Sequence, residues 1–253
     1  MRGSILALAA VTVVAILLGF VALPSVHSDF TAKGLWDAIC RAAGVPSAWG
    51  GAEDVKTGKA TTSVVMVPEL ARPGGSDAVG RGGSLAIEKC TMCHGAKGVS
   101  ATDAPNLAGQ YPEVIVKQLV DYQRGHRPSA AMRAIAEPLD DRQIRDLAAY
   151  YASLPRLKNA PVTDMSKVPP LVRVGDPMRN VAPCASCHGG MEQKLGAPWL
   201  EGMPKAYLVA QLKDFASGAR TNDSHAQMRN MSRSLTPKEI EEVSDFYARH
   251  TGE

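Results

Sequence analysis

The sequence predicts an all-α protein: two tandem helical modules behind one apolar, membrane-length helix. Three observations predict it. First, a five-residue motif occurs twice, as Cys90-Thr91-Met92-Cys93-His94 and Cys184-Ala185-Ser186-Cys187-His188, 94 residues apart. The segments after the two copies repeat in the same order, which marks an internal duplication. Second, helix starts are legible in both copies, and no segment shows convincing strand alternation. Third, the chain opens on a long uncharged run.

That run extends from Ile5 to Leu23, nineteen residues without a charge. As a helix it spans ~28 Å at about 1.5 Å per residue, close to the hydrocarbon thickness. Arg2 precedes it, so the positive-inside rule puts the N-terminus in the cytoplasm and the rest outside. Residues 1–25 therefore read as a transmembrane anchor. The competing reading is a cleaved signal peptide, for which Val26-His27-Ser28 offers small residues near a cut. The run is longer than the roughly 7–15 residues of a signal core, which favours the anchor.

Residues 26–80 read as a juxtamembrane connector. Leu35, Trp36, Ile39 and Cys40 have i, i+4 spacing within Phe30 to Ala43. That pattern fits a short amphipathic helix, either on the membrane surface or against the first module. Gly50-Gly51, Pro68, Pro73, Gly74-Gly75 and Gly82-Gly83 follow, a composition expected of irregular or extended chain. Cys40 stands apart from the two motifs and reads as a buried small apolar side chain.

The modules cover residues 81–156 and 172–253, joined by a Pro-bearing linker at 157–171. Pro105-Asn106-Leu107-Ala108-Gly109 in the first corresponds to Pro198-Trp199-Leu200-Glu201-Gly202 in the second. Gln118-Leu119-Val120-Asp121-Tyr122, with Gly125 and Arg127, corresponds to Gln211-Leu212-Lys213-Asp214-Phe215, with Gly218 and Arg220. Met132-Arg133 precedes Leu139 by the same seven residues that separate Met228-Arg229 from Leu235. Each module ends in a helix with paired aromatics, Tyr150-Tyr151 and Phe246-Tyr247. Thr236-Pro237-Lys238-Glu239 is a capping box that opens the second of these helices, with Ile240, Val243, Phe246 and Tyr247 on one face. Asp140 to Gln143 opens the first, with Ile144, Leu147 and Tyr151 inward.

Composition excludes one class of function. Lys and Arg number 28 against 25 Asp and Glu, and the small excess is spread along the chain. No basic footprint for nucleic acid is present.

The chemistry lies in the repeated motif. C-x-x-C-H is the attachment signature of a covalent c-type haem. Two sulfurs three residues apart sit on one face of a helical turn, where they can bond the two vinyl groups of one porphyrin. The next residue, histidine, then reaches the iron from the same side. Zinc or a redox dithiol is the alternative for C-x-x-C alone, but neither requires a histidine after both copies. Haem attachment is thus expected at Cys90, Cys93, Cys184 and Cys187, with His94 and His188 as iron ligands. A haem also supplies the apolar centre that modules this small need.

The sixth iron position decides between a carrier and an enzyme. A methionine thioether would close it and raise the potential. Met132 and Met228 occupy matched positions, 38 and 40 residues after their histidines, and are expected in loops before the last helix. Met231 competes in the second module, but its counterpart is Ile135. Met92, Met178, Met191 and Met203 lack methionine counterparts and read as packing; His126 and His225 read as surface residues. Pro105 and Pro198, eleven and ten residues after the histidines, either offer a backbone carbonyl that can accept from the second nitrogen of each ring or are ordinary loop punctuation. Arg127 and Arg220 either pair with haem propionates or lie solvated on the surface.

In order, these segments resemble class I cytochromes c, and their pairing resembles the dihaem cytochrome c4 family. The likeness covers residues 81–253. It implies two tandem class I cytochrome c domains, His/Met ligation in both (His94 with Met132, His188 with Met228), and electron transfer between respiratory partners. The first eighty residues depart from the soluble members and imply a tethered protein. The resulting expectation is a dihaem c-type cytochrome, single-pass in the bacterial inner membrane, with its haem domains in the periplasm. Its partners would be a redox donor and acceptor: a membrane dehydrogenase, a quinol-oxidising complex or a terminal oxidase. The alternatives are a permanent cytochrome subunit of such a complex and, third, a dihaem peroxidase, which needs one open iron and so conflicts with matched methionines.

Overall fold

The structure is a computed structural model that describes residues 11–13, 61–159, 164–189 and 194–248. Residues 1–58 and 59–253 form two compact units. Residues 11–13 of the first are helical. The rest of the apolar run, the Phe30–Ala43 segment and Cys40 lie outside the described residues, as does Met191. Among the described residues no helix is long and apolar enough to cross a membrane.

The second unit is helical, and an isolated antiparallel bridge between Asp176 and Val181 is its one extended pairing among the described residues. Five helices build its first half: α1 (Ser76–Lys89), α2 (Thr91–His94), α3 (Pro112–Gln123), α4 (Ala130–Ala136) and α5 (Asp141–Ser153). Sequence chemistry sets their ends. Pro112 occupies the first position of α3, where its missing N–H costs nothing. Asp140 and Gln143 cap α5 reciprocally, with Gln143 N donating to Asp140 Oδ1 at 2.7 Å. Ile115, Leu139, Ile144, Leu147 and Tyr151 bury together as the first core.

Helix α1 corrects one expectation. Gly82-Gly83 is not connector but the face on which α1 meets α5. A Cβ on Gly82 would stand 1.9 Å from the Asp146 carbonyl oxygen and 2.8 Å from Tyr150 Cβ. Only glycine lets the two backbones approach this closely. Beside it, Arg81 forks onto Asp146 with two bonds, Nε to Oδ2 at 2.7 Å and an Nη to Oδ1 at 2.8 Å. Gly82→Ala is expected to cost about 1–3 kcal/mol by overpacking; a thermal melt of the holoprotein reads it as a lower midpoint.

The second half departs from the first where the duplication would put a counterpart of α1. A single turn, α6 (Pro170–Arg173), is followed by a 3-10 turn at Pro177–Arg179 and another at Cys184–Ser186. Pro177 and Pro183 lack the N–H that a continuous helix needs. Arg179 fastens this irregular segment, reaching Asp176 Oδ2 at 2.6 Å and Glu239 Oε1 at 2.7 Å. Then come α7 (Lys205–Ser217), α8 (Gln227–Arg233) and α9 (Pro237–Ala248). Thr236 and Glu239 form the expected cap of α9. The second core gathers Val172, Leu208, Val243 and Tyr247, and takes in Val168 and Leu171 from the stretch read as linker.

Residues 61–71 bind the second unit to itself. Leu70 packs on the first core, Thr62 Oγ1 donates to Asp121 Oδ1 at 2.6 Å, and Met66 lies against Gly196 of the second half.

Candidate functional site

In each half the motif histidine is buried and held by one bond. His94 Nδ1 lies 2.8 Å from the Pro105 carbonyl and His188 Nδ1 lies 2.9 Å from the Pro198 carbonyl. A carbonyl cannot donate, so Nδ1 carries the hydrogen, and in a neutral ring Nε2 is left with a bare lone pair. Burial favours that neutral form: desolvation pushes both histidines below their ordinary pKa, against the carbonyl bond that raises it. The outcome is an imidazole of fixed tautomer and orientation, ready to ligate a metal.

The cysteines sit beside the rings. Cys90 and Cys184 are half-buried and Cys93 is exposed. Burial raises the Cys90 thiol and pushes Cys184 up to about 11. Both therefore stay as thiols at neutral pH. Among the described residues no cluster of His, Cys, Asp and Glu has the arrangement of a metal site, and the two C-x-x-C pairs belong to separate cores.

Around the first motif lies a cavity of about 460 Å³. Cys90, Cys93 and His94 line it, and so does Met132. Its walls are largely apolar, from Ile115, Leu119 and Leu147 among others. Tyr207 and Met203 of the second half also line it, so the two halves share this site.

The methionines are placed differently from expectation. Met132 and Met228 lie on the short helices α4 and α8, not in loops. Met231 packs on the second core, and its sulfur accepts from the Ala182 amide at 3.3 Å. Met92 and Met178 are 94 % and 93 % exposed rather than packed, while Met203 is buried in the second core. His225 is exposed and His126 half-buried.

The duplication is visible in matched contacts. The Gly109 amide donates to the Tyr151 carbonyl at 2.8 Å and the Gly202 amide to the Tyr247 carbonyl at 2.7 Å. Both glycines have positive φ, at 65° and 77°. Arg127 stacks over Tyr122 at 4.7 Å and Arg220 over Phe215 at 4.4 Å.

Those two arginines are not surface residues. They meet across the junction of the halves, where Arg127 donates to Gln118, Tyr207 and Gln211. Arg220 donates to Gln211 and Gln118. Burial, with the Arg127 charge beside it, pushes the Arg220 guanidinium down to about 10. Lys117 donates to Asp121 and to the Asn222 carbonyl, and Asn222 Nδ2 donates to Asp121 Oδ2 at 2.7 Å. Gln110 and Trp199 add a reciprocal pair at 2.9 and 3.0 Å.

This junction tests whether the site suits a haem. Lys117 and Arg127 are buried and Arg220 half-buried at this junction, and Asp121 holds Lys117 directly. Arg127 also borders the cavity, where a buried guanidinium suits an anionic group. A ligand with an apolar plate and carboxylate arms suits this lining: the apolar walls would hold the plate, and Arg127 would be available to a carboxylate. The donor set of this cavity, one imidazole and one soft thioether candidate among its lining residues, suits iron. The residues present therefore fit covalent haem.

Sequence reasoning missed Asp121, Asn222, Lys117 and Tyr207 as junction residues. The repeated Gln-Leu-x-Asp-aromatic motif was visible as a repeat, but nothing local revealed that its copies face each other.

Comparison with known proteins agrees. A family model described as cytochrome c oxidase, cbb3-type, subunit III matches residues 77–150. A cytochrome c4 from Thiocapsa roseopersicina is 39% identical over 163 residues, which is 62% of this chain and 84% of the relative. A thiosulfate dehydrogenase electron acceptor from Stutzerimonas stutzeri strain A1501 is 31% identical over 175 residues, 66% of this chain and 81% of the relative. The crystal structure of reduced recombinant cytochrome c4 from Pseudomonas stutzeri superposes with a TM-score of 0.61 at 31% identity, covering 70% of this chain and all of that one. Two pinned histidines in twin helical shells, and a relative matched over most of its length, lead to one conclusion: the chain belongs to the cytochrome c4 family of dihaem c-type cytochromes.

Proposed function

We propose that this cytochrome is a membrane-anchored carrier that moves electrons between a redox donor and a redox acceptor. His94 and Met132 would ligate the first iron, His188 and Met228 the second. The observation that carries this reading is the repetition of one histidine geometry in two halves joined by a buried polar junction.

Haem c, when bound, supplies a one-electron ferrous–ferric couple. The chain does the rest. The Pro105 and Pro198 carbonyls fix the imidazoles and raise their basicity. The apolar walls around His94 exclude water. Arg127, which lines the cavity, would neutralise carboxylate charge there and so favour the reduced state. A methionine on the far side would leave no position for substrate, in keeping with an electron-transfer protein and not an enzyme.

The anchor reading rests on the uncharged Ile5–Leu23 run behind Arg2. With it comes a location in the bacterial inner membrane and haem domains in the periplasm, the side on which covalent attachment is expected. A second reading has a specific observation behind it: one relative is a thiosulfate dehydrogenase electron acceptor, and the model matching the first module describes an oxidase subunit. The chain would then be the permanent cytochrome subunit of a dehydrogenase or terminal oxidase.

Purification from membranes in mild detergent tests both. The intact mass is expected to equal the full chain plus two haems, and potentiometric titration to resolve two one-electron steps. The reduced protein as isolated should not bind carbon monoxide. A mass short by the first 25 or so residues would remove the anchor, and carbon monoxide binding would restore the peroxidase. Large subunits in fixed ratio would favour the permanent complex.

A further inference from the structure

We infer that Asp223 is a positioning residue that clamps the Met228 arm, and that the second iron is therefore the one that opens to an exogenous small ligand when the clamp is lost. The inference rests on the proposed assignment of Met228.

The two methionine arms are built differently. In the first half Ser129 caps α4, its Oγ accepting the Met132 amide at 3.2 Å. Gln123 then ties down the far end of that arm, donating to the Ala136 carbonyl at 3.3 Å and the Leu139 carbonyl at 2.7 Å. No non-glycine residue in this arm has positive φ.

The second half has neither device. Ala216 stands at the position matching Gln123. Helix α8 starts from Ala226, which has no capping side chain. The entry to α8 instead runs through two consecutive left-handed residues, His225 at φ 54° and Ala226 at φ 56°. Residues with a Cβ hold this conformation only where their surroundings impose it. What spans the kink is Asp223. Its Oδ2 accepts the Arg229 amide at 2.9 Å and its Oδ1 accepts Arg229 Nε at 2.7 Å. Asp223 is 7 % exposed, so this charge-assisted pair is shielded from water. Arg133, which corresponds to Arg229, is exposed, and its ion pair among the described residues is with Glu137 at the end of α4, at 3.9 Å.

Met228 directly precedes Arg229, so one two-pronged bond holds the ligand arm against a strained entry. Removing the carboxylate lets His225 and Ala226 relax to negative φ, which rotates the start of α8 and withdraws Met228. The class of ligand admitted is a small neutral donor.

The test uses the holoprotein with carbon monoxide as probe. Met228→Ala is the reference: it opens one of the two haems. Asp223→Ala is expected to do the same, with half of the haem becoming reactive and one potential falling, while the first haem stays closed and reports an intact fold. Asp223→Ala combined with His225→Gly and Ala226→Gly is expected to close the site again, because glycine accepts the left-handed turn without strain. If Met228→Ala opens a haem but Asp223→Ala does not, the clamp is wrong and the ligand assignment stands. If the variant with both glycines stays open, strain is not the cause, and the inference fails as well. If Met228→Ala opens nothing, the assignment and the inference fall together.

Discussion

Replacing Met132 or Met228 with alanine is expected to lower the potential of one haem, by on the order of 100 mV or more, within the roughly 0.8 V over which axial ligands move haem potentials. The cause is the loss of a soft thioether, which stabilises ferrous over ferric iron. Each variant should also let one haem, and only one, bind carbon monoxide when reduced. The two should be complementary, and the double variant should open both. Met132 lines the cavity that holds His94. Met228 occupies the matched place, and its rival Met231 has its sulfur engaged by the Ala182 amide. Met231→Leu should therefore leave both potentials unmoved. Titration and carbon monoxide spectra check this together. An opened haem in Met231→Leu would mean that the second ligand lies three residues further on.

Much of the second unit was legible because its cues are local. The motifs are contiguous, and the caps of α5 and α9 need only four residues each. The proline carbonyls could be placed from spacing, because a short loop returns the chain to its histidine. What was not legible depends on contacts between distant segments. Gly82-Gly83 resembles a linker until α5 is laid against it; the glycines serve a close helix crossing that no local pattern announces. The second half lacks a counterpart of α1 because Gly175, Pro177 and Pro183 interrupt it. Met132 and Met228 could be paired, but seven residues are too few for periodicity to reveal a helix. The arginines show the limit most clearly. Arg127 and Arg220 were found as a pair, yet the choice between surface and pocket turned on a junction between segments about a hundred residues apart in sequence.

That junction is where the largest stability effect is expected. Asp121→Asn should destabilise the second unit by about 3–5 kcal/mol, the usual cost of removing one partner from a buried ion pair. Asp121 is fully buried and its two oxygens are shared among Thr62, Lys117 and Asn222. Without its charge, Lys117 loses the carboxylate it bonds while Arg127 and Arg220 still lower its pKa from nearby. Its amine already titrates below the ordinary lysine range, because burial lowers it more than Asp121 raises it. Removing Asp121 removes the counterweight. Lys117→Met together with Asp121→Asn should recover most of the loss, since the stranded charge is then gone as well. Denaturant unfolding of the two variants, followed by helix signal, gives the comparison. The position makes a second readout available: Asp121 belongs to the first half, but Asn222, its partner, precedes the Met228 arm by only six residues. A defect at Asp121 should therefore reach the potential of the second haem as well as the first. A variant that loses stability with both potentials unchanged would show that the polar junction fastens the halves without coupling their sites.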